Sequence, residues 1–195
     1  MKVETLDEKQ VSIALTQLVQ EIDFRPELIV GILNGSAEII KYLKQQDKFS
    51  ESVFYQVKLQ RKQETVKRKK IMRFLAKQLP YFIVDFLRKL ESAKARKSIA
   101  AITKENLEKT KIIPIEIAFK KEPQTILIID DAIDTGKTMY VVKKQLQQKF
   151  PKATVYVACI AWTLTEAIVK PDYFWKKEVL IRYPWSKDYK SRKNA

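Results

Sequence analysis

Residues 126–139 read ILIIDDAIDTGKTM, an apolar run that ends in two adjacent carboxylates, Asp130 and Asp131, followed by Asp134 and by Thr135-Gly136-Lys137-Thr138. If the run is a strand and the segment from Lys137 a helix, the carboxylates stand at the carboxyl edge of a sheet with a helix opening beside them. Successive amides at a helix N-terminus, a glycine that lets backbone approach closely and two hydroxyls make a phosphate cradle. Carboxylates next to that cradle suit a sugar phosphate: the acids hold ribose hydroxyls while the amides hold a 5′-phosphate. The Gly-Lys-Thr triplet is not a nucleoside triphosphatase loop, because that motif needs a second glycine five residues before Gly136, where Asp131 stands.

Composition narrows the chemistry further. The 195 residues include no histidine and one cysteine, Cys159. A disulfide within the chain, the usual zinc ligand sets and Ser-His-Asp or Cys-His arrangements are thereby excluded. Reactions must run on carboxylates, lysines, hydroxyls and backbone amides. Against 23 Asp and Glu stand 38 Lys and Arg, a net charge of +15, which attracts phosphorylated metabolites, nucleic acid or an anionic surface. That charge is concentrated: residues 61–111 hold 16 basic and 5 acidic side chains. The start, MKVETLDEKQ, has no apolar targeting core, and no later run approaches the roughly 18 apolar residues of a membrane span. A cytoplasmic chain is the expectation.

The elements that must position the acids alternate between strand and helix. Thr5 and Glu8 have capping-box spacing, and Val11, Leu15, Leu18 and Ile22 follow at helical intervals. Beyond Pro26, residues 28–33 (LIVGIL) form a continuous apolar run expected of a strand covered on both faces. Asn34-Gly35-Ser36 turns the chain into a helix over about 37–45. Strands are expected at 52–60, 112–119, 126–129 and 154–161, and a helix at 137–150. The pattern is that of an α/β domain with a parallel sheet flanked by helices. Between 61 and 111, Ile71, Leu75, Leu79, Phe82, Ile83, Phe86, Leu87 and Leu90 mark one apolar helical face. Pro80 either opens a second helix there or kinks a single one.

The stretch 126–139 resembles the phosphoribosyl pyrophosphate motif of type I phosphoribosyltransferases: a hydrophobic strand, two acids, two small or apolar residues, then Asp-Thr-Gly-Lys-Thr. Residues 28–43 (LIVGILNGSAEIIKYL) are similar to the first strand and pyrophosphate loop of the hypoxanthine-guanine branch. KPDY at 170–173 and LIRYPW at 180–185 resemble the C-terminal hood of purine-specific members. The resemblance implies a single type I phosphoribosyltransferase-like domain over 1–195, with a basic helical insertion at about 62–110 and a hood at about 162–190. It also implies transfer of a phosphoribosyl group from phosphoribosyl pyrophosphate to a purine base (hypoxanthine, guanine or xanthine) in purine salvage, releasing pyrophosphate.

Carried onto this chain, the resemblance makes Asp134 the acid–base residue near the purine N7. Asp130 and Asp131 would hold the ribose hydroxyls, directly or through Mg2+, and Thr135, Gly136, Lys137 and Thr138 the 5′-phosphate. Leu33, Asn34 and Gly35 would bind pyrophosphate through backbone groups, Lys170 would donate to an exocyclic oxygen of the base, and Leu180 would lie against it. A homodimer is expected from the family. Arg182 and Leu180 depart from the hood pattern, and the insertion lacks the Ser-Tyr pair of the hypoxanthine branch. For the basic helices three readings stand: packing on the core or on a second subunit, a nucleic-acid surface over 62–111, or a lid or anionic membrane surface. The rival to an enzyme is a regulator that senses nucleotides through this fold and binds nucleic acid through the insertion.

Overall fold

The strands at 28–33 and 126–129 are apolar at every position, which suits them only to a sheet covered on both sides. The computed structural model, which describes residues 1–58, 79–103, 107, 119 and 122–190, has that sheet. Its five strands are β2 (Leu28–Leu33), β3 (Val53–Lys58), β4 (Thr125–Ile133), β5 (Thr154–Trp162) and β6 (Tyr173–Lys177). They run parallel in the order β3-β2-β4-β5-β6. Alternate side chains feed two cores. Ile29, Leu127, Ile129 and Ile160 face helices α1 (Glu8–Glu21) and α2 (Ala37–Leu43), while Leu28, Val30, Ile128 and Val157 face α4 (Lys137–Lys149). Each fully buried side chain of this size contributes about 1.5–3 kcal/mol, so the central strands are a firm base for whatever they carry at their ends.

Helix α1 starts two residues later than the spacing predicts. Asp7, rather than Thr5, is the cap: its carboxylate accepts from the Gln10 amide at 2.8 Å, and the Gln10 side chain accepts from the Asp7 amide at 2.9 Å. Thr5 is instead the last residue of β1 (Lys2–Thr5), which pairs in parallel with β7 (Val179–Arg182). The hood therefore draws on both ends of the chain. Four-residue strands carry too little periodicity to be read from sequence.

Of the basic segment, helix α3 (Tyr81–Ile99) is described, with Pro80 immediately before it, so the proline opens a helix. Its apolar stripe does not pack inward: Phe82 is 73% and Phe86 61% exposed, and Leu87 and Leu90 are exposed as well. The face turned to the protein bears Tyr81, Asp85, Arg88 and Ser92 around the buried Val84, and its polar groups meet hydrogen-bonding and charged partners in the hood and at the N-terminus. Ile71 and Leu75 lie outside the described residues, as does all of the strand expected at 112–119 except Phe119.

Candidate active site

A parallel sheet whose order reverses direction between two neighbouring strands leaves a crevice beyond their carboxyl ends, because the connections leave to opposite faces. Here that point lies between β2 and β4. Both strands turn into helices there, through residues 34–36 and 134–136, and a cavity of about 370 Å3 opens between the turns. Its lining includes Leu33, Asn34, Gly35, Asp130, Asp131, Asp134, Thr135, Gly136, Lys137 and Thr138. The two motifs, a hundred residues apart in sequence, thus share one cavity.

Each wall has a physical reason for its residues. Gly136 has φ of 76°, a left-handed conformation, and a Cβ there would lie 2.8 Å from the Val169 amide nitrogen. Only glycine meets both conditions without strain. It is the cap of α4, whose first amides have no partner within the helix, and residues 135–139 line the cavity beside them. On the opposite wall a Cβ on Gly35 would stand 2.4 Å from the Asp131 carboxylate. That glycine lets the β2 turn close against the acid. The Leu33–Asn34 peptide beside it is cis.

The three acids differ in surroundings. Asp134 is exposed at the cavity. Asp130 accepts from the Asp131 amide at 2.9 Å. Asp131 is enclosed: Trp185 Nε1 donates to its carboxylate at 2.9 Å and the Tyr183 hydroxyl donates to its carbonyl at 2.7 Å. Burial raises the Asp131 carboxyl above the usual carboxylate range, with the nearby Asp134 charge adding to the rise and the Trp185 bond opposing it. Burial also pushes the Tyr183 phenol and the Cys159 thiol well up, and the aspartates strengthen both shifts. The site thus gathers three carboxylates on one edge, and burial opposes the ionisation of Asp131 among them.

Not every residue expected at the site reaches it. Lys170 lines a separate cavity of about 620 Å3 with Tyr140, Lys143 and Gln147. Leu180, half-buried on β7, does not line the cavity of the acids. Conversely, the hood segment at 180–185 is marked in the sequence, but nothing there shows that Tyr183 and Trp185 meet Asp131 or that Lys187 reaches the cavity. Tyr183 and Trp185 stack with ring centroids 4.8 Å apart and planes 3° from parallel, forming the aromatic bracket of Asp131. Lys187 lines the cavity directly. Trp162 and Trp175 are packing residues, against Phe174 and, through an indole hydrogen bond, Gln17.

The overall arrangement recurs in solved structures. Over 95% of both chains it superposes on a purine phosphoribosyltransferase from Pyrococcus horikoshii with a TM-score of 0.60 at 19% identity. The fold is that of the purine phosphoribosyltransferases. The Helicobacter pylori xanthine-guanine-hypoxanthine phosphoribosyltransferase has a TM-score of 0.58 at 20% identity, covering 94% of this chain and 91% of its own. A hypothetical protein from Neisseria gonorrhoeae, solved with bound ppGpp, has 0.55 at 13%, covering 94% and 89%. No family model matches the sequence, and no curated protein matches it. The phosphoribosyltransferase fold is thus shared at a level of identity where little beyond architecture is visible in the sequence. No helix among the described residues is long and apolar enough to cross a membrane.

Proposed function

We propose that this chain transfers the phosphoribosyl group of phosphoribosyl pyrophosphate to a purine base, releasing pyrophosphate, as a cytoplasmic homodimer in purine salvage. The observation that carries this reading is the shared cavity. An acidic edge of three aspartates faces a helix-opening cradle, with the Leu33-Asn34-Gly35 turn closing the third side. A ribose 5-phosphate bearing a diphosphate at C1 presents hydroxyls, a terminal phosphate and a polyanion, and each wall suits one of them. The purine assignment draws further support from structural neighbours named for purine bases and from one holding a guanine nucleotide.

Bond breaking at C1 develops positive charge on the sugar and negative charge on the departing diphosphate. Asp130 and Asp131 would stabilise the sugar through its hydroxyls. Thr135 to Thr138 would fix the 5′-phosphate, so that C1 is held beside the incoming nitrogen. Asp134, exposed at the cavity, would take the proton the base releases. Mg2+ fits this donor set, because that ion is commonly held by one or two carboxylates completed by substrate phosphate oxygens. Asp130 and Asp131 would hold it, and it would supply counter-charge to the diphosphate.

The test is pyrophosphate release from phosphoribosyl pyrophosphate and Mg2+ with hypoxanthine, guanine or xanthine. Release with at least one base is expected, and Asp134→Asn should lower kcat roughly 100-fold or more while leaving the melting temperature unchanged. No release with any base, together with salt-sensitive nucleic-acid binding lost on deleting residues 62–109, would replace the enzyme with a regulator.

A further inference from the structure

Helix α3 lies outside the segments that resemble phosphoribosyltransferases, yet it is tied to the loop that borders the cavity. Arg88 grips Asp188 with two bonds, Nε to Oδ2 at 2.9 Å and Nη2 to Oδ1 at 2.6 Å, and reaches the Ile181 carbonyl at 3.1 Å. Arg182, with a side chain 1% exposed, adds a bond to Asp188 at 2.8 Å and spends its remaining donors on Asp85 at 2.5 Å and Thr5 at 2.8 Å. Its guanidinium lies over the Tyr81 ring, 4.2 Å from the centroid. Farther along, the Lys190 amide donates to the Tyr81 hydroxyl at 2.9 Å.

The loop after β7 is therefore held at Trp185 by Asp131 and at Asp188 by two arginines, one of them from α3. Lys187 stands between those fixed points, exposed and lining the cavity. It has no hydrogen-bond or ion-pair partner among the described residues. The residues named on the cavity wall include three carboxylates and two cations, Lys137 in the cradle and Lys187 in the hood. The Leu33-Asn34-Gly35 turn carries no cation. A diphosphate entering this acidic cavity needs a counter-charge, and a lysine ammonium is a point charge suited to phosphate oxygens.

We propose that Lys187 binds the diphosphate of the substrate and product, and that Arg88 on α3 positions it by fixing Asp188. This rests on the function proposed above and assigns α3 a place in the reaction that the sequence resemblance does not. Arg88 is a positioning residue; Lys187 touches the ligand.

The experiment is calorimetric titration of the full chain with inorganic pyrophosphate and with phosphoribosyl pyrophosphate, each with Mg2+. Lys187→Gln should weaken both roughly tenfold, Lys187→Arg should hold them within about threefold, and binding of a purine nucleoside 5′-monophosphate should change less than about twofold. Arg88→Gln should weaken pyrophosphate binding severalfold and raise KM for phosphoribosyl pyrophosphate more than it lowers kcat. Arg88→Lys should recover part of the loss. In a Lys187→Gln background Arg88→Gln should add little, because the two act through one contact.

Pyrophosphate binding unaltered in Lys187→Gln would overturn the Lys187 assignment while leaving the phosphoribosyl transfer reading in place. Equal losses from Arg88→Gln with and without Lys187 would overturn the positioning role. Failure of the unaltered protein to bind either diphosphate would overturn the proposed function, and this inference with it.

Discussion

Gly35 and Asp131 occupy the same few ångströms, and the acid has no other place to go. Trp185 holds its carboxylate and Tyr183 its carbonyl, so a methyl group on Gly35 would press directly on the carboxylate. Gly35→Ala is expected to displace Asp131 and weaken phosphoribosyl pyrophosphate binding roughly tenfold, measured calorimetrically, with a smaller effect on binding of free purine. Asp131 itself trades stability for charge. Burial raises its folded carboxyl above the ordinary value of 3.8. Its contribution to stability is therefore full below that value and declines as pH rises through the raised one. Asp131→Asn, which keeps an acceptor for Trp185, should melt at a higher temperature than the parent at pH 7. The two should converge near pH 3, and substrate binding should be lost at both.

Helix α3 is an element whose orientation the apolar pattern misassigns. Phe82, Phe86, Leu87 and Leu90 recur at core-like spacing, but they are exposed, and the docked face, apart from Val84, is polar and ionic. Period alone identifies a stripe of like residues; it does not say which stripe the rest of the protein can match. The match is Arg182 and Asp188, whose charges come from the other end of the chain. Arg88 and Arg182 lower the Asp188 carboxyl to about 2 despite its burial. Because that folded value lies below the ordinary 3.8, Asp188 stabilises above 3.8 and loses the contribution as pH falls toward 2. After allowance for solvent screening this is about 1–2 kcal/mol. Acid titration followed by circular dichroism should show a loss of that size, absent in Asp188→Asn. Arg182→Met should cost about 3 kcal/mol at pH 7, since it removes the buried cation shared by Asp85 and Asp188 and leaves Asp188 to Arg88 alone.

At the scale of the whole molecule, a chain of net charge +15 carries a cavity lined by three aspartates. A cationic surface speeds the approach of a polyanionic substrate, and salt screens that attraction. Steady-state kinetics should show kcat/KM for phosphoribosyl pyrophosphate falling roughly tenfold between about 0.02 and 0.5 M salt with kcat nearly constant. The α/β class, the parallel sheet and the acidic turn are legible in the chain because each follows from local sequence. An unbroken apolar run demands two covered faces, and the residues from Asp130 to Thr138 are contiguous, so the cradle and its three acids are set by neighbours in sequence. What joins distant segments is not legible. Gly35 against Asp131, Trp185 as that acid's partner, Lys187 on the cavity wall and Lys170 away from it all depend on how β2, β4 and the hood meet. So does the pairing of the N-terminal strand with β7. Side-chain type and spacing specify which local structures form; only the packing of those structures decides which charges, rings and carboxylates come within hydrogen-bonding distance of one another.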